Sequence, residues 1–454
     1  MENKENSLAY NKRNFYEALP EMVDAACEYA VGYTDYLNKC KTEREAVRES
    51  IAMAEAQGYV PYTFGMDMKP GDKFYYNNRG KSLFLFRIGS EPINEGIRIS
   101  AAHIDSPRLD LKQVPVFEDN GFAYFKTHYY GGIRKYQWVA TPLALHGVVV
   151  KTDGTVVDVV IGEDENDPVL YISDLLPHLA ADQSRKPLGE AIPAEKLNMI
   201  IGTRPVDGDI KNNVLAILNE KYGITESDFL SAELSGVPAG LARDAGLDRS
   251  LIAGYGHDDR CCAYPAVTAL LDCKDERHTL MCILADKEET GSDGVSGMQC
   301  VLTADLIHSI SDALGGNYAQ VRANSKCLSA DVSAAFDPSF PDVFEKKNAA
   351  LINCGTVLSK YTGARGKSGT SDASAEYLAW LRRVMEQDNV VWQTAELGKT
   401  DVGGGGTVAK FIANMNIDTV DLGIPVLSMH APIEIIAKSD LYEAYRAFLA
   451  FCKY

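Results

Sequence analysis

The stretch TLMCILADKEETGSDG, residues 279 to 294, leaves an apolar run and ends in a glycine-bounded turn carrying two adjacent glutamates, Glu288 and Glu289. A short run that is apolar on both faces marks a strand with helices packed on each side of its sheet. In an open α/β sheet the functional loops lie beyond the carboxyl ends of the strands. Neighbouring side chains cannot address one target in the same way. The pair is therefore expected to divide its roles, one glutamate toward a cation and the other toward what the cation holds. The ordinary alternative is a solvated acidic turn, against which stands its position after so apolar a strand.

Outward from this stretch, helix and strand signals alternate. Thr42 to Gly58 reads as a helix, with Thr42 and Glu45 as a capping box, Val47, Ile51 and Ala54 on one face and Gly58 as its stop. The runs LFLFRI and IRISAAH follow as strands, the second delivering His103 at its carboxyl end. From about 110 to 240 the texture changes. In VVVKTDGTVVDVVI the pair Asp153 and Gly154 sits between β-branched runs and predicts a tight hairpin, hence an antiparallel insert. GYGHDDR with an apolar helix behind it, CLSAD, TVDLGIPVLSMH and an amphipathic C-terminal helix then restore the alternation. The fold class is α/β, with a mixed sheet flanked by helices in residues 1–110 and 240–454 and a mainly β insert in 110–240.

Composition bounds the function. With 454 residues, 46% of them hydrophobic, the chain exceeds the roughly 250–300 residues at which single cores stop growing, which favours two structural units. The net charge of -18 works against nucleic acid or anionic membrane as a partner through a general basic surface. The start, MENKENSLAYNKRNFYEAL, mixes both signs of charge without the apolar core of a signal peptide, and no segment reaches the roughly 20 apolar residues of a membrane span. Ten cysteines without a CxxC pair read as reduced, mostly buried thiols, and the expected location is the cytoplasm.

Several residues at expected strand ends could carry chemistry. In SAAHIDSPRLDLK, Asp105 stands two residues after His103, a spacing that lets a carboxylate orient a metal-binding histidine. GYGHDDR supplies Asp258 and Asp259, which either cap a helix or bridge cations. LSADVSAAFDP ends an apolar run on Asp331, and SMHAPIE places His430 after another. Each alone has an ordinary explanation as a turn or structural residue. Together, His103, Asp258, Glu289, Asp331 and His430 form a two-histidine, three-carboxylate set suited to a pair of divalent ions, with zinc favoured and manganese or cobalt as replacements.

The ordered motifs HIDS, HDD, EETGS, SADVSAAFDP and DLGIPVLSMH, from His103 to His430, closely resemble those of the aspartyl aminopeptidases and aminopeptidase I enzymes, a family of co-catalytic metallopeptidases. The resemblance implies a metal-dependent aminopeptidase with His103, Glu289, Asp331 and His430 as terminal ligands, Asp258 as the bridge, Asp105 behind His103 and Glu288 as general base. It also implies two ions per subunit, peptide substrates, a lid or dimerisation role for the insert, and a homo-oligomer, typically a dodecamer.

The chain departs from the family pattern in places. Where members carry histidines after the fourth-motif aspartate, this chain has Val332 to Pro338, and SKYTGARGKSGTSDAS, residues 359–374, replaces the usual NQRYA-like stretch. Lys360, Arg365 and Lys367 remain candidates to meet an acidic substrate side chain. KTDVGGGGTVAK, with Gly403 to Gly406, lacks the spacing of a phosphate loop and reads, Gly404 included, as close backbone approach to a peptide. In DLLPHLAAD, Asp182 takes the place of a histidine that members extend into a neighbouring subunit, with His178 nearby. The alternative function is a non-catalytic assembly or peptide-binding scaffold on the same fold, which loss of the base or ligands would mark; none is lost.

Overall fold

A computed structural model describes residues 8–454; the first seven residues, where the expected lack of a signal peptide is partly read, lie outside the described residues. Thr279–Ala285, Ile97–His103, Lys326–Ser329 and Asp418–Gly423 lie side by side and parallel at the centre of a nine-stranded sheet. The sheet is mixed because Ser82–Arg87 and Thr356–Ser359 run antiparallel to their central neighbours.

Side chains alternate across these strands with period two. Leu280, Cys282 and Leu284 face a core shared with the helices Val23–Lys39, Glu43–Glu55, His257–Asp272 and Lys438–Lys453. Met281, Ile283, Ile97 and Ile99 face Leu306, Ile307 and Ile310 of Leu302–Ala313 on the other side. Burial on both faces explains why these strands read as unbroken apolar runs. The Glu43–Glu55 helix begins with the expected capping box, in which Thr42 accepts from the Glu45 N–H and Glu45 accepts from the Thr42 N–H.

A second, seven-stranded sheet runs from Arg108 to Pro238 around its own core, which includes Leu109, Phe125, Trp138, Leu145 and Met199. Ala232–Pro238 pairs with both Arg108–Asp119 and Pro142–Val150, so the sheet closes on itself. The expected hairpin is present, but its turn is longer than Asp153–Gly154: Val150 pairs with Val156. A two-residue turn of the type that Asp-Gly favours needs positive φ at both residues. Here only Gly154 has it, and the Lys151 N–H to Thr155 carbonyl bond closes a five-residue connection.

TVDLGIPVLSMH is not one strand. Asp418–Gly423 belongs to the central sheet, whereas Pro425–Leu427 joins a third sheet with Ser333–Ala334, Glu434–Ala437, Leu251–Gly254 and Arg243–Ala245. This small sheet brings the segment before Asp258 beside the segment after His430.

Candidate metal centre

Register explains the convergence of the candidate residues. His103 is paired with Ala285, so the turn that follows Ala285 lies over the end of the His103 strand. Ser329 is level with Ala101 and Asp421, which sets Asp331 on the same edge. Asp258 precedes the regular part of its helix, since both it and Asp259 have non-helical dihedrals. The helix has Gly256 at its N-cap with no side-chain capping bond, and both aspartates lie in its first turn.

Asp258 stands between the two histidines. Its Oδ1 is 3.2 Å from His103 Nε2 and its Oδ2 is 3.2 Å from His430 Nε2. Asp331 Oδ1 lies 3.8 Å from the same His103 nitrogen, and Glu289 Oε2 lies 3.7 Å from the same His430 nitrogen. The other ring nitrogens face carbonyl oxygens, His103 Nδ1 that of Asp105 at 3.0 Å and His430 Nδ1 that of Gly132 at 2.7 Å. A carbonyl has no proton to give, so each Nδ1 donates and each Nε2 faces the carboxylates.

That arrangement is satisfied by a second proton on each ring or by a cation between nitrogen and carboxylates. The remaining atoms fit the cation: Asp258 Oδ1 and Glu289 Oε1 are buried without a hydrogen-bond partner, and donor atoms of His103, Asp258 and Glu289 lie within 4.8 Å of one another. Imidazole and carboxylate donors suit zinc.

Electrostatics point the same way. Burial, followed by the charge of Asp331, pushes the Glu288 carboxyl up to about 8. Burial and then Asp258 push Glu289 well above the carboxylate range. Burial opposes charge on His430, but Asp258 outweighs it and lifts the ring to about 10. Carboxylates crowded so closely raise one another's proton affinity, a cost that a nearby dication relieves.

Asp105 is fully buried and acts as a hub. It accepts from the backbone N–H groups of Glu288 and Glu289, both at 3.2 Å, and from Tyr130 Oη at 2.7 Å. Tyr130, Gly132 and Glu434 escape the sequence reading. Glu434, buried in the third sheet, accepts from the N–H of Asp258 at 3.0 Å and of His430 at 2.8 Å. It falls inside the motif SMHAPIE, but only the sheet pairing reveals that one carboxylate ties both segments.

Beside this cluster opens a cavity of about 480 Å³, lined by Asp258, Glu288, Glu289, Asp331 and His430 together with Gly404, Phe411, Met429 and Lys410. Lys360, Arg365 and Lys367 are not among its lining residues. Lys360 and Lys367 both pair with Asp372, and Lys367 also stacks on Tyr361 with its ammonium 3.7 Å from the ring centre. The cation facing this cavity is Lys410 instead. Gly404 does line it, but the close approach that requires glycine is to its own chain: with φ +122, a Cβ there would stand 2.0 Å from the Gly363 carbonyl. His178 and Asp182 are exposed on the insert, and Asp182 pairs with Arg185 at 3.4 Å.

A helix-flanked sheet with a histidine and carboxylate donor cluster at the carboxyl edge fits the class of metal-binding α/β proteins. Comparison with known proteins narrows this class. The aminopeptidase I zinc metalloprotease family (M18) matches residues 36–452. The probable M18 family aminopeptidase 1 of Clostridium acetobutylicum is 51% identical over 93% of this chain and 94% of its own. A crystal structure of the M18 aminopeptidase of Thermotoga maritima, 42% identical, superposes with a TM-score of 0.94 over 98% of this chain and 100% of that one. The mApe1 dodecamer of S. cerevisiae shares the fold at 21% identity, with a TM-score of 0.77 over 95% of this chain and 97% of that one. The chain belongs to the M18 family and is a metallo-aminopeptidase, a hydrolase of the exopeptidase type.

Proposed function

We propose that this protein removes the N-terminal residue of peptides at a centre holding two divalent ions, zinc in the first place and manganese or cobalt as substitutes. His103 and Asp331 would hold one ion, His430 and Glu289 the other, with Asp258 offering one oxygen to each. The observation that carries this reading is the Asp258 carboxylate, 3.2 Å from each histidine through a different oxygen. When bound, such ions polarise the scissile carbonyl and lower the pKa of water.

The remaining work falls to the chain. Glu288 lines the cavity, accepts the proton of the attacking water on its carboxylate and returns it to the leaving amine nitrogen. Asp105 positions it by holding the backbone N–H groups of both glutamates. Lys410 is the side chain that would read an acidic N-terminal residue, while Phe411 and Met429 would contact an apolar one.

The closed β insert, expected as 110–240, is proposed as the lid and dimerisation unit of a homo-oligomer. Its exposed Leu175, Leu176 and Leu179 suit a surface covered by another copy. The dodecameric yeast relative makes twelve copies the number to test by sedimentation. Turnover of cytoplasmic peptides is the proposed setting; among the described residues no helix is long and apolar enough to cross a membrane.

The test of the centre pairs metal content with kinetics at buffered free metal. Glu288→Gln is expected to keep both ions and lose turnover, whereas Glu289→Ala is expected to lose metal first. Equal behaviour of the two variants would overturn the division of labour.

A further inference from the structure

The two halves of the candidate centre are supported differently. On the His103 side the orienting group, the Asp105 carbonyl, lies two residues along the same chain segment. On the His430 side it comes from the insert, whose Gly132 carbonyl accepts the His430 Nδ1 proton at 2.7 Å. The His430 side chain is 34% exposed, and apart from this carbonyl the groups facing its ring nitrogens are the carboxylates of Asp258 and Glu289, which share the ion position with it.

The contact extends over Tyr130 to Gly132. A Cβ added to Gly131, whose φ is +72, would stand 3.1 Å from Glu289 Oε2, and one added to Gly132 would stand 3.3 Å from His430 Nδ1. The backbone of this segment thus packs against the two residues of one half-site. Tyr130 adds its hydroxyl to Asp105, and its ring is held under the Arg108 guanidinium at 4.2 Å.

We infer that the Tyr130–Gly132 segment is a positioning arm by which the insert completes the His430/Glu289 ion position, so that occupancy of that position and docking of the arm stabilise each other. The coupling is reciprocal by linkage: what holds the ring strengthens metal binding, and bound metal holds the arm. The His103/Asp331 position is oriented by Asp105 from within its own segment and meets the arm only indirectly, through the Tyr130 hydroxyl on Asp105. This rests on the two-ion reading above.

The test uses the full-length protein with zinc as the probe. Zinc stoichiometry and affinity are measured by competition with a chelator for the wild type and Gly132→Ala, and hydrogen exchange over residues 128–136 is followed in metal-free and zinc-loaded wild type. Outer partners of metal ligands typically set about 10–100-fold in affinity. The expectation is a loss of that order at one of two zinc positions in Gly132→Ala, and slower exchange of 128–136 in loaded wild type. Exchange over 128–136 that ignores zinc, or a variant that weakens both positions alike or neither, would overturn the arm. Should Gly132→Ala not fold, the wild-type exchange measurement decides. A wild type that binds a single zinc would instead sink the two-ion reading.

Discussion

Two buried clusters of histidine and carboxylate lie among the described residues, and they are balanced differently. At the junction of the insert with the Glu43–Glu55 helix, His146 sits between Glu45 at 2.8 Å and Glu163 at 3.1 Å, and Lys41 approaches Glu163 at 3.7 Å. Lys41 also donates to the carbonyls of Pro238 and Gly240, where the chain leaves the insert. Negative groups there meet positive ones, and the cluster reads as a joint. At the sheet edge Asp258, Glu288, Glu289 and Asp331 outnumber His103 and His430, and oxygens of Asp258 and Glu289 lack partners. Buried carboxylates in excess of their own cations mark a place built for an added one. Residue type alone does not separate the two clusters; charge balance does.

The sharpest way to break this contrast is metal removal. Chelation is expected to abolish aminopeptidase turnover and zinc, manganese or cobalt to restore it, as read by activity against measured metal content. Full turnover in verified metal-free protein would place the site's chemistry elsewhere. Next comes Glu288→Gln, for which kcat is expected to fall by at least about 10²–10⁴-fold with metal content unchanged, the usual contribution of a general base.

The junction should respond in stability and not in chemistry. His146→Ala leaves Glu45 and Glu163 without their shared partner, and breaking a buried pair costs about 3–5 kcal/mol. Denaturant unfolding should show that loss while zinc affinity stays put. Burial opposes charge on His146, but Glu163 and Glu45 raise its affinity for a proton above the ordinary histidine range. Its folded value is therefore above the unfolded one. The stabilisation is complete below the ordinary histidine range and fades as pH climbs through the raised value. Stability of the wild type that increases across that interval, with no such rise in His146→Ala, would reverse the assignment.

The smallest effect concerns specificity. Lys410→Ala is expected to change the ratio of kcat/KM for aspartyl over leucyl substrates by a few fold, roughly 1 kcal/mol. Lys360→Ala and Lys367→Ala, whose charges are already engaged by Asp372, should leave it unchanged. A shift in these two with none in Lys410→Ala would return substrate reading to the 359–374 loop.

What the sequence determined by itself is local or periodic. The apolar run into Glu288 and Glu289, the capping box at Thr42 and the ordered motifs ending at His430 are visible because strand burial has period two, caps act over three residues and ligand types are few. Only the tertiary structure decided which residues of those types work together. Glu434 matters because a third sheet brings Asp258 and His430 within reach of one carboxylate. Gly132 matters because a carbonyl from the loop after a strand of the second sheet meets His430 across 298 positions of sequence. Lys410 replaces Lys360 and Lys367 at the cavity because those two find Asp372 first. A carbonyl carries no side-chain signature, and the pairing of a charge depends on folded distance, so neither can be read along the chain.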